Sequence, residues 1–468
     1  MLDRFRHRLA RAISRRSFEA AAGGRRWEGA GATWNQGNAI LAGARRVAAR
    51  ASHQAANNPY AASALRSLVA NIVGAGIVPQ AAHPDEGQRR RLNERFALWT
   101  DAADLAERTD FYGLQAQAVR CMLEEGEAFI LMRPQPGGLR LQLIHPDQVP
   151  TDLHQDLAGG GRIRGGIEFD SAGRRRAYHV YEQRPGEGLG STATRRIPAA
   201  DVIHLFEPVT PGQVRGVSRL APVLLRLHEL DAYEDAEAMR HKVQALFAGF
   251  IRDTDGSAAG FADGQGALKS IVEAGLQPGT LYSLPPGADV SFSNPGGDSG
   301  AYASFVKGQL RAIAAGLGTT YEQLTGDLEG VNYSSIRAGL VEFRRQVEQL
   351  QWSVIIPQLC QPVWDRWLRL AILAGELQAP DFEDFPERYR AGWVTPGVDW
   401  IDPLKDIQAE VQAIGAGLKS RREAVAGRGL NVEALDAEIA ADRARAEALG
   451  LNFEGGSTER SEGNARDA

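Results

Sequence analysis

At 468 residues, the chain is long enough for two or three domains that each bury their own core. A hydrophobic content of 43% and a charged content of 24% are ordinary for globular proteins and do not favour disorder. Residues 1–50 hold eleven arginines against three acids, and the whole chain has a net charge of −5, so the remainder carries about −13. Such an acidic body argues against a general nucleic-acid binder, which needs cations to neutralise phosphate.

Few residues could carry metal, redox or membrane functions. Cys121 and Cys360 lie far apart with no CxxC partner, and the nine histidines form no HxxxH or HExxH pair. We therefore expect reduced thiols, no metal and no cofactor. The N-terminal segment contains arginines but no apolar core, and no run of 18 apolar residues occurs. These patterns predict neither a secretory signal nor a membrane partner.

The first half of the chain predicts an α+β fold. Residues 1–57 form an arginine-rich N-terminal arm that ends before Pro59, and a helix begins just after Asn58. A second amphipathic helix spans about 110–127. Alternating segments then predict antiparallel strands at 129–133, 139–144, 163–169, 177–182 and 201–206. The glycine-rich segment 156–166 lacks the spacing of a phosphate-binding loop and indicates a flexible surface loop.

Two helices then bracket a small insert. The first is a long helix over about 222–250 with acids at its centre, and the second covers about 302–317. Residues 251–298 between them are rich in glycine, proline and aspartate, with short strand-like pieces. Such a helix pair can hold the insert away from the main body.

A glycine-bracketed acidic turn, GDLEG, precedes the longest predicted helix, which runs from about 334 to 373. Apolar residues recur along this helix in a near-heptad pattern, and Pro357 and Pro362 should kink or interrupt it. Further helices are expected behind the caps Asp402, Ser420 and Asn431. The tail from 451 to 468 is expected to be disordered.

One pair of short motifs is compatible with a serine hydrolase. GDSG surrounds Ser299 and AAH surrounds His83, and both sequences occur around catalytic residues of chymotrypsin-like proteases. A helical pattern follows Ser299 at once, whereas such a protease would continue with short strands. A helix N-cap at this position explains the serine equally well. We therefore expect no enzyme activity, with the hydrolase kept as a remote alternative.

Five segments in order resemble the portal (connector) protein of tailed double-stranded DNA bacteriophages, of the lambda type. They are NNPYAASALRSLVANIVGAGIVPQ, DFYGLQAQAVRCMLEEGEAFI, RGVSRLAPVLLRLHELDAYEDAE, AAGLGTTYEQLTGDLEGVNYSSIRAGLVEFRR and WIDPLKDIQAEVQAIGAGLKSRREAVAGRGLN. The likeness covers roughly residues 30–445. It implies a ring of about twelve subunits at one capsid vertex, enclosing a channel for packaging and ejecting DNA.

The resemblance also implies a domain layout. An α/β wing covers 58–216, stem helix 1 covers 217–250, a small β-containing clip covers 251–298, and stem helix 2 covers 299–317. The wing continues over 318–398 with the long helix and a tunnel loop at about 326–335, and a helical crown covers 399–450. The tunnel-loop candidates are Gly326, Asp327, Leu328, Glu329, Gly330, Val331, Asn332 and Tyr333. The channel-facing stem candidates are Lys307, Arg311, Glu234 and Asp235.

Partners follow from the same resemblance. The chain contains no Walker A motif, so the energy for packaging must come from elsewhere, and the resemblance implies a separate terminase ATPase that docks at the clip. A head–tail adaptor would replace it later, and the major capsid protein would surround the ring in the virion after assembly in the host cytoplasm.

Three points stay open. The loop is either a channel element or an ordinary helix connection, and the arm either touches DNA or scaffold or is solvated, which we favour. The particle is an infectious phage, a defective prophage or a gene-transfer particle.

Overall fold

The structure, a computed structural model, describes residues 35–187, 193–245, 249–253, 288–292, 299–329, 332–397 and 402–451. Its helices are α1 (Gln36–Asn57), α2 (Pro59–Ile72), α3 (Glu86–Thr100), α4 (Phe111–Glu125), α5 (Leu224–Ala245), α6 (Ser299–Leu317), α7 (Tyr321–Thr325), α8 (Tyr333–Leu350), α9 (Gln361–Leu373), α10 (Pro403–Gly415), α11 (Arg421–Ala426) and α12 (Val432–Ala448). Its strands are β1 (Val78–Ala81), β2 (Glu127–Gln135), β3 (Gly138–Ile144), β4 (Gln155–Asp156), β5 (Arg162–Arg164), β6 (Ile167–Phe169), β7 (Arg175–Tyr181), β8 (Thr194–Pro198), β9 (Val202–Phe206), β10 (Gly249–Asp253), β11 (Ala288–Phe292) and β12 (Ala391–Val394). The α+β class is confirmed.

Short polar side chains start the helices as the sequence predicts. The Oδ1 atom of Asn58 accepts a hydrogen bond of 2.9 Å from the Ala61 amide, and Pro59 occupies the first position of α2. Asp110 accepts a 2.7 Å bond from the Gly113 amide and begins α4. Each bond satisfies an amide that has no partner within its helix.

The described part of the N-terminal arm predicted over residues 1–57 is a packed helix. Residues 36–57 form α1, which packs on α2, α4 and α5, and the side chains of Ala44 and Ala51 are buried. The alanines recur on one helical face, and this apolar stripe is less obvious than the arginines between them. Residues 1–34 lie outside the described part of the chain.

Two antiparallel sheets form the β part of the first half. One has the strand order β3-β2-β9 and the other β4-β5-β6-β7-β8. The segment 156–166 is not the flexible loop we expected, because β5 and β6 form a hairpin across Gly165 and Gly166. Both glycines have positive φ, which suits the tight turn of a two-residue hairpin.

Strand β2 contributes to two cores. Phe129 and Leu131 point to a small core between the two sheets, while Ile130 and Met132 point to the main core. This alternation follows from the two-residue period of a strand. The main core also includes the apolar sides of α2, α4, α6 and α8–α9. Strand β2 therefore packs against these helices on one face and against the second sheet on the other.

Helices α5 and α6 form an antiparallel pair. Arg226 donates a 2.9 Å hydrogen bond to Gln309, and the rings of Tyr233 and Tyr302 stack at 5.9 Å. Helix α5 ends at Ala245, five residues before the predicted end of stem helix 1, and Gly249–Asp253 instead pairs with Ala288–Phe292 as an antiparallel β pair. The remainder of the predicted clip lies outside the described residues.

The long helix, which was expected to be kinked or interrupted at Pro357 and Pro362, changes from α- to π-helical winding around Pro357. A π-helical segment, Gln351–Cys360, contains Pro357 and joins α8 to α9 without a break. The amide of Gln361 bonds to the carbonyl of Ile356, five residues back, so the wider turn carries the hydrogen-bond ladder past a residue without an amide proton. Gln351 anchors the segment by donating 2.7 Å to the Ile72 carbonyl.

The C-terminal helices begin at the predicted caps. Asp402, Ser420 and Asn431 each accept hydrogen bonds from the first turns of α10, α11 and α12. None of the residues in these three described helices is buried. Their contacts with the rest of the chain include the ion pairs Arg89–Glu433 at 2.9 Å and Arg337–Asp406 at 3.6 Å.

Candidate functional site

The candidate loop starts where α7 ends. Gly326 has a φ of +73° at this end, and its amide donates 2.7 Å to the Glu322 carbonyl. Glycine is the residue that adopts this left-handed cap without strain. Leu328 is 65% exposed, and Glu329 and Asn332 are exposed as well. Gly330 and Val331 lie outside the described residues, and Tyr333 is the first residue of α8.

Asp327 folds the loop back onto α7. Its Oδ2 atom accepts a 2.9 Å hydrogen bond from the Tyr321 hydroxyl, and its Oδ1 atom accepts 2.9 Å from the Glu329 amide. The Asp327 amide donates 3.1 Å to Thr325 Oγ1. The Glu329 amide, the Tyr321 hydroxyl and the Lys307 charge together lower the pKa of Asp327, so the carboxylate stays ionised.

The Tyr321 ring links this loop to α6. Lys307 Nζ lies 5.3 Å and Arg311 Cζ lies 5.8 Å from the ring centroid. Both distances are within the range in which an aromatic face attracts a cation. The structure therefore brings together three of the predicted site residues, Lys307, Arg311 and Asp327, around a tyrosine that the sequence reading did not single out.

The two acidic candidates on α5 are placed differently. Glu234 accepts a hydrogen bond of 3.4 Å from the Tyr60 hydroxyl on α2 and is half-buried. Burial and the neighbouring charges of Asp231 and Asp235 raise the pKa of Glu234. Asp235 is exposed. Glu234 and Asp235 therefore lie in different surroundings, although they are adjacent in sequence. Their position on a channel wall stays a prediction.

Arg219 ties the base of the helix pair to the sheet. Its guanidinium contacts Glu207, just after β9, at 3.0 Å, and its Nε atom donates 3.2 Å to the Leu317 carbonyl at the end of α6. At the same level Gly316 faces Val223, where a Cβ on the glycine would lie 2.4 Å from a valine methyl. The two helices can approach closely here because residue 316 has no side chain.

A buried charged network lies behind this base, and the sequence reading missed it. Glu127 accepts 2.8 Å and 2.9 Å hydrogen bonds from Arg215 Nε and 2.9 Å from the Gly216 amide. His204 Nε2 lies 2.9 Å from the same carboxylate. Burial alone would raise the pKa of Glu127, but the Arg215 charge and the hydrogen bonds hold it at about 2. The only signal in the sequence is an acid at the start of the apolar run EAFILM.

The family of the chain follows from comparison with known proteins. A family model described as phage portal protein, lambda family, matches residues 23–351, which is more than half of the chain. The chain belongs to this family of portal proteins. The match confirms the resemblance to portal proteins, and four of the five segments lie within it.

Individual relatives support the same family. The portal protein is 27% identical over 419 residues to the probable portal protein of Halomonas phage phiHAP-1, covering 86% of this chain and 80% of that protein. It is 26% identical over 480 residues to portal protein B of Escherichia phage lambda, covering 88% and 86%. A chain from the neck of an empty gene transfer agent particle computed with C6 symmetry has a TM-score of 0.51 at 16% identity, over 84% of this chain and 94% of that chain. This last likeness concerns the fold.

The residues of the hydrolase alternative have structural positions in the portal protein. His83 is buried beside the Tyr389 ring, with centroids 4.9 Å apart, and its Nδ1 atom accepts 3.1 Å from the Asp85 amide. Ser299 is the first residue of α6.

The described residues form neither a metal-binding cluster nor a membrane-spanning helix. Over the residues that the structure describes, no three His, Cys, Asp or Glu side chains come together in a way that could hold a metal ion. Within that same part of the chain, no helix has the length and apolar character needed to cross a bilayer.

Proposed function

We propose that this portal protein forms a ring of about twelve copies at one capsid vertex, and that genomic double-stranded DNA enters and leaves through the ring. The observation that carries the proposal is the attachment of the loop to the helix pair. Tyr321 joins Asp327 of the loop to Lys307 and Arg311 of α6, so the loop sits at a defined end of two long helices. A β pair lies at their other end.

In this proposal the helix pair is the stem and lines the channel. The segment between the two helices is the clip, where terminase and later a head–tail adaptor dock. The sheets with α2–α4 and α8–α9 are the wing, and α10–α12 are the crown. The major capsid protein surrounds the ring in the virion, and assembly takes place in the host cytoplasm.

Weak binding of phosphate suits such a channel, because DNA must slide through it over its whole length. The chain beyond residue 50 carries about −13, which disfavours tight phosphate binding. Asp327 is held ionised at the loop and repels phosphate, while Asn332 is exposed and polar. The loop of residues 326–333 would therefore guide and retain DNA without gripping it.

Two measurements test the proposal. Negative-stain microscopy of the purified full chain is expected to show rings with a central hole, and a uniform monomer at high concentration would contradict the ring. The double variant Asn332→Ala/Tyr333→Ala is expected to form the same rings but to package or retain less DNA. Ring formation by this variant is its own control, and normal packaging and retention in rings of the variant would remove the role of the loop.

A further inference from the structure

The outward side of α5 carries a regular stripe of residues. Its members are Leu225, Glu229, Ala232 and Ala236, with spacings of four, three and four, and all four are exposed. Leu225 is 71% exposed although it lies at the base of the helix. Spacings of three and four residues are those of a helix face that packs on a second helix. We call this set the α5 stripe.

Helix α6 carries a stripe of the same spacing. Its members, taken towards the N-terminus, are Ala315, Arg311, Gly308 and Ser304, and all four are exposed. Three of them are small, and a Cβ added to Gly308 would meet no atom within 4 Å. This α6 stripe is therefore a shallow groove with one cation in it.

Within the described residues, the hydrogen-bond and ring contacts found between the two helices of one chain are made by residues outside the two stripes. The contact between the helices uses Val223, Arg226 and Tyr233 of α5 against Gly316, Gln309 and Tyr302 of α6. Within the described part of the chain, Glu229 has no cationic nitrogen within 4 Å, and Arg311 has no carboxylate within 4 Å. Each stripe thus keeps one charge that the described residues do not neutralise with an ion pair.

The stripes match each other in a single antiparallel register. Leu225 lies opposite Ala315, Glu229 opposite Arg311, Ala232 opposite Gly308, and Ala236 opposite Ser304. In this register the large Leu225 side chain lies against the small Ala315, and the Glu229 carboxylate lies against the Arg311 guanidinium. We infer that the α5 stripe binds the α6 stripe of the next subunit around the ring, an inference that rests on the proposed ring.

Rotational symmetry supports this register. Rotation about a channel axis does not change height along it, so if the helix pair runs along the axis, neighbouring subunits meet at nearly the level found within one chain. Within the chain, Arg226 meets Gln309 and Tyr233 meets Tyr302. The proposed register is shifted from these two pairs by five residues, about 7.5 Å at roughly 1.5 Å per residue, and from the Val223–Gly316 contact at the base of the pair by one residue.

A second copy fits the α5 stripe better than DNA does. The stripe is apolar except for Glu229, and its carboxylate would repel phosphate. A ring of identical subunits closes through two different surfaces, one on each side of every subunit, and the two stripes are such surfaces. Arg311 then belongs to the subunit contact, and the Glu229 carboxylate of the neighbouring subunit would lie near the Tyr321 ring.

Charge reversal and exchange in the full chain test the contact. Glu229→Arg and Arg311→Glu are made singly and together, and the ring fraction is followed against protein concentration by sedimentation velocity and native mass spectrometry. Each single reversal is expected to raise the concentration for half-assembly by at least about tenfold, because like charges would face each other at every contact. The double exchange is expected to return it to within about threefold of the original protein.

Two further variants separate the register from general effects of charge and folding. Ala232→Trp would fill the space over Gly308 without changing charge, and it is expected to weaken assembly similarly. Asp235→Arg is the matched control, since it reverses an exposed charge on the same helix but outside the stripe. Circular dichroism melting confirms that each variant is folded.

The outcomes distinguish the inference from the proposed function. Unchanged rings in Glu229→Arg and Ala232→Trp would overturn the stripe contact and leave the portal ring standing. A folded double exchange as monomeric as the single reversals would also overturn it, as would equal disruption by Asp235→Arg. If the original protein forms no ring at any concentration, the proposed ring itself fails.

Discussion

The carboxylate of Glu127 binds the guanidinium of Arg215 at 2.8 Å, although 88 residues separate them. Arg215 also donates 3.0 Å and 2.8 Å hydrogen bonds to the carbonyls of Val149 and Gly165. One side chain thus joins β2, the segment before α5 and the turn between β5 and β6. Both charged side chains are almost completely buried, so each depends on the other for neutralisation.

Removing one partner of this pair should be costly. Glu127→Ala leaves the Arg215 charge buried without its counterion, and we expect the free energy of unfolding to fall by about 3–5 kcal/mol. Glu94→Ala is the control, because Glu94 forms an exposed pair with Arg90 at 3.2 Å and should lose at most about 1 kcal/mol. Chemical denaturation of both variants measures the difference, and equal losses would show that the buried pair adds nothing.

Acid should destabilise the protein through the same network. Burial lowers the pKa of His204 below its usual 6.5, and the pKa of Glu127 is held at about 2. Both groups bind fewer protons when folded, so their stabilisation is present at higher pH and is lost as pH falls, first below about 6.5 and then from about 4.5 towards 2. His204→Gln, which keeps a donor for Glu127, should remove the loss between pH 7 and 5. Unfolding curves across pH check this, and an unchanged slope in the variant would contradict it.

Gly216 should tolerate no side chain. A Cβ at this position would lie 2.0 Å from the Gly126 carbonyl oxygen, which is backbone and cannot turn away. Gly216→Ala is expected to lower the free energy of unfolding by about 3 kcal/mol or more. In the control Gly415→Ala nothing lies within 4 Å, and the helix should keep or gain up to about 1 kcal/mol. Thermal melting compares the two, and similar melting temperatures would refute the close approach.

Tyr321 should hold the loop in two separable ways. Tyr321→Phe removes the hydrogen bond to Asp327 but keeps the ring near Lys307 and Arg311. Losing about 1 kcal/mol of local stability should speed amide exchange at Glu329 about fivefold. Tyr321→Leu also removes the ring and should speed exchange further. Hydrogen-exchange mass spectrometry of residues 322–329 measures both, and identical rates in the three proteins would exclude the contact.

Asn58 should connect α2 to α5 while it caps α2. Its amide nitrogen donates 2.6 Å to Asp231, and its oxygen accepts from the Ala61 amide. Asn58→Ala loses both bonds and should lower the free energy of unfolding by about 2 kcal/mol. Asn58→Asp keeps the cap but faces Asp231 with a second carboxylate, and Asp231→Asn in the same chain should recover stability. Denaturation of the three variants tests this, and no recovery in the double variant would argue against the contact.

Local signals in the sequence predicted much of the fold. Asn58, Asp110, Asp402, Ser420 and Asn431 all begin helices as expected, because a cap depends only on residues within one turn. The hairpin of β2 and β3 was also predicted, since its turn and alternation lie in one short segment.

The features that were missed depend on distant residues. Glu127 and Arg215 meet only after the two sheets form, and no pattern near either residue indicates the other. A kink or an interruption was predicted at Pro357, but the π-helical form of this segment was not, because it depends on packing at Gln351 and Gln358 against distant parts of the chain. At the candidate loop, Asp327 was predicted from its glycine-bracketed turn, but its partner Tyr321 belongs to a helix of five residues with an unremarkable sequence.

The clamp at Arg219 has a mechanical consequence. Glu207, Arg219 and the Leu317 carbonyl meet at one end of the helix pair, so that end moves with the sheet. The 22 residues of α5 extend about 33 Å from this point at 1.5 Å per residue. A tilt of about 5° at the base would therefore shift the far end by about 3 Å. A small movement of the sheet would therefore produce a larger displacement of the β pair at the far end of the helices.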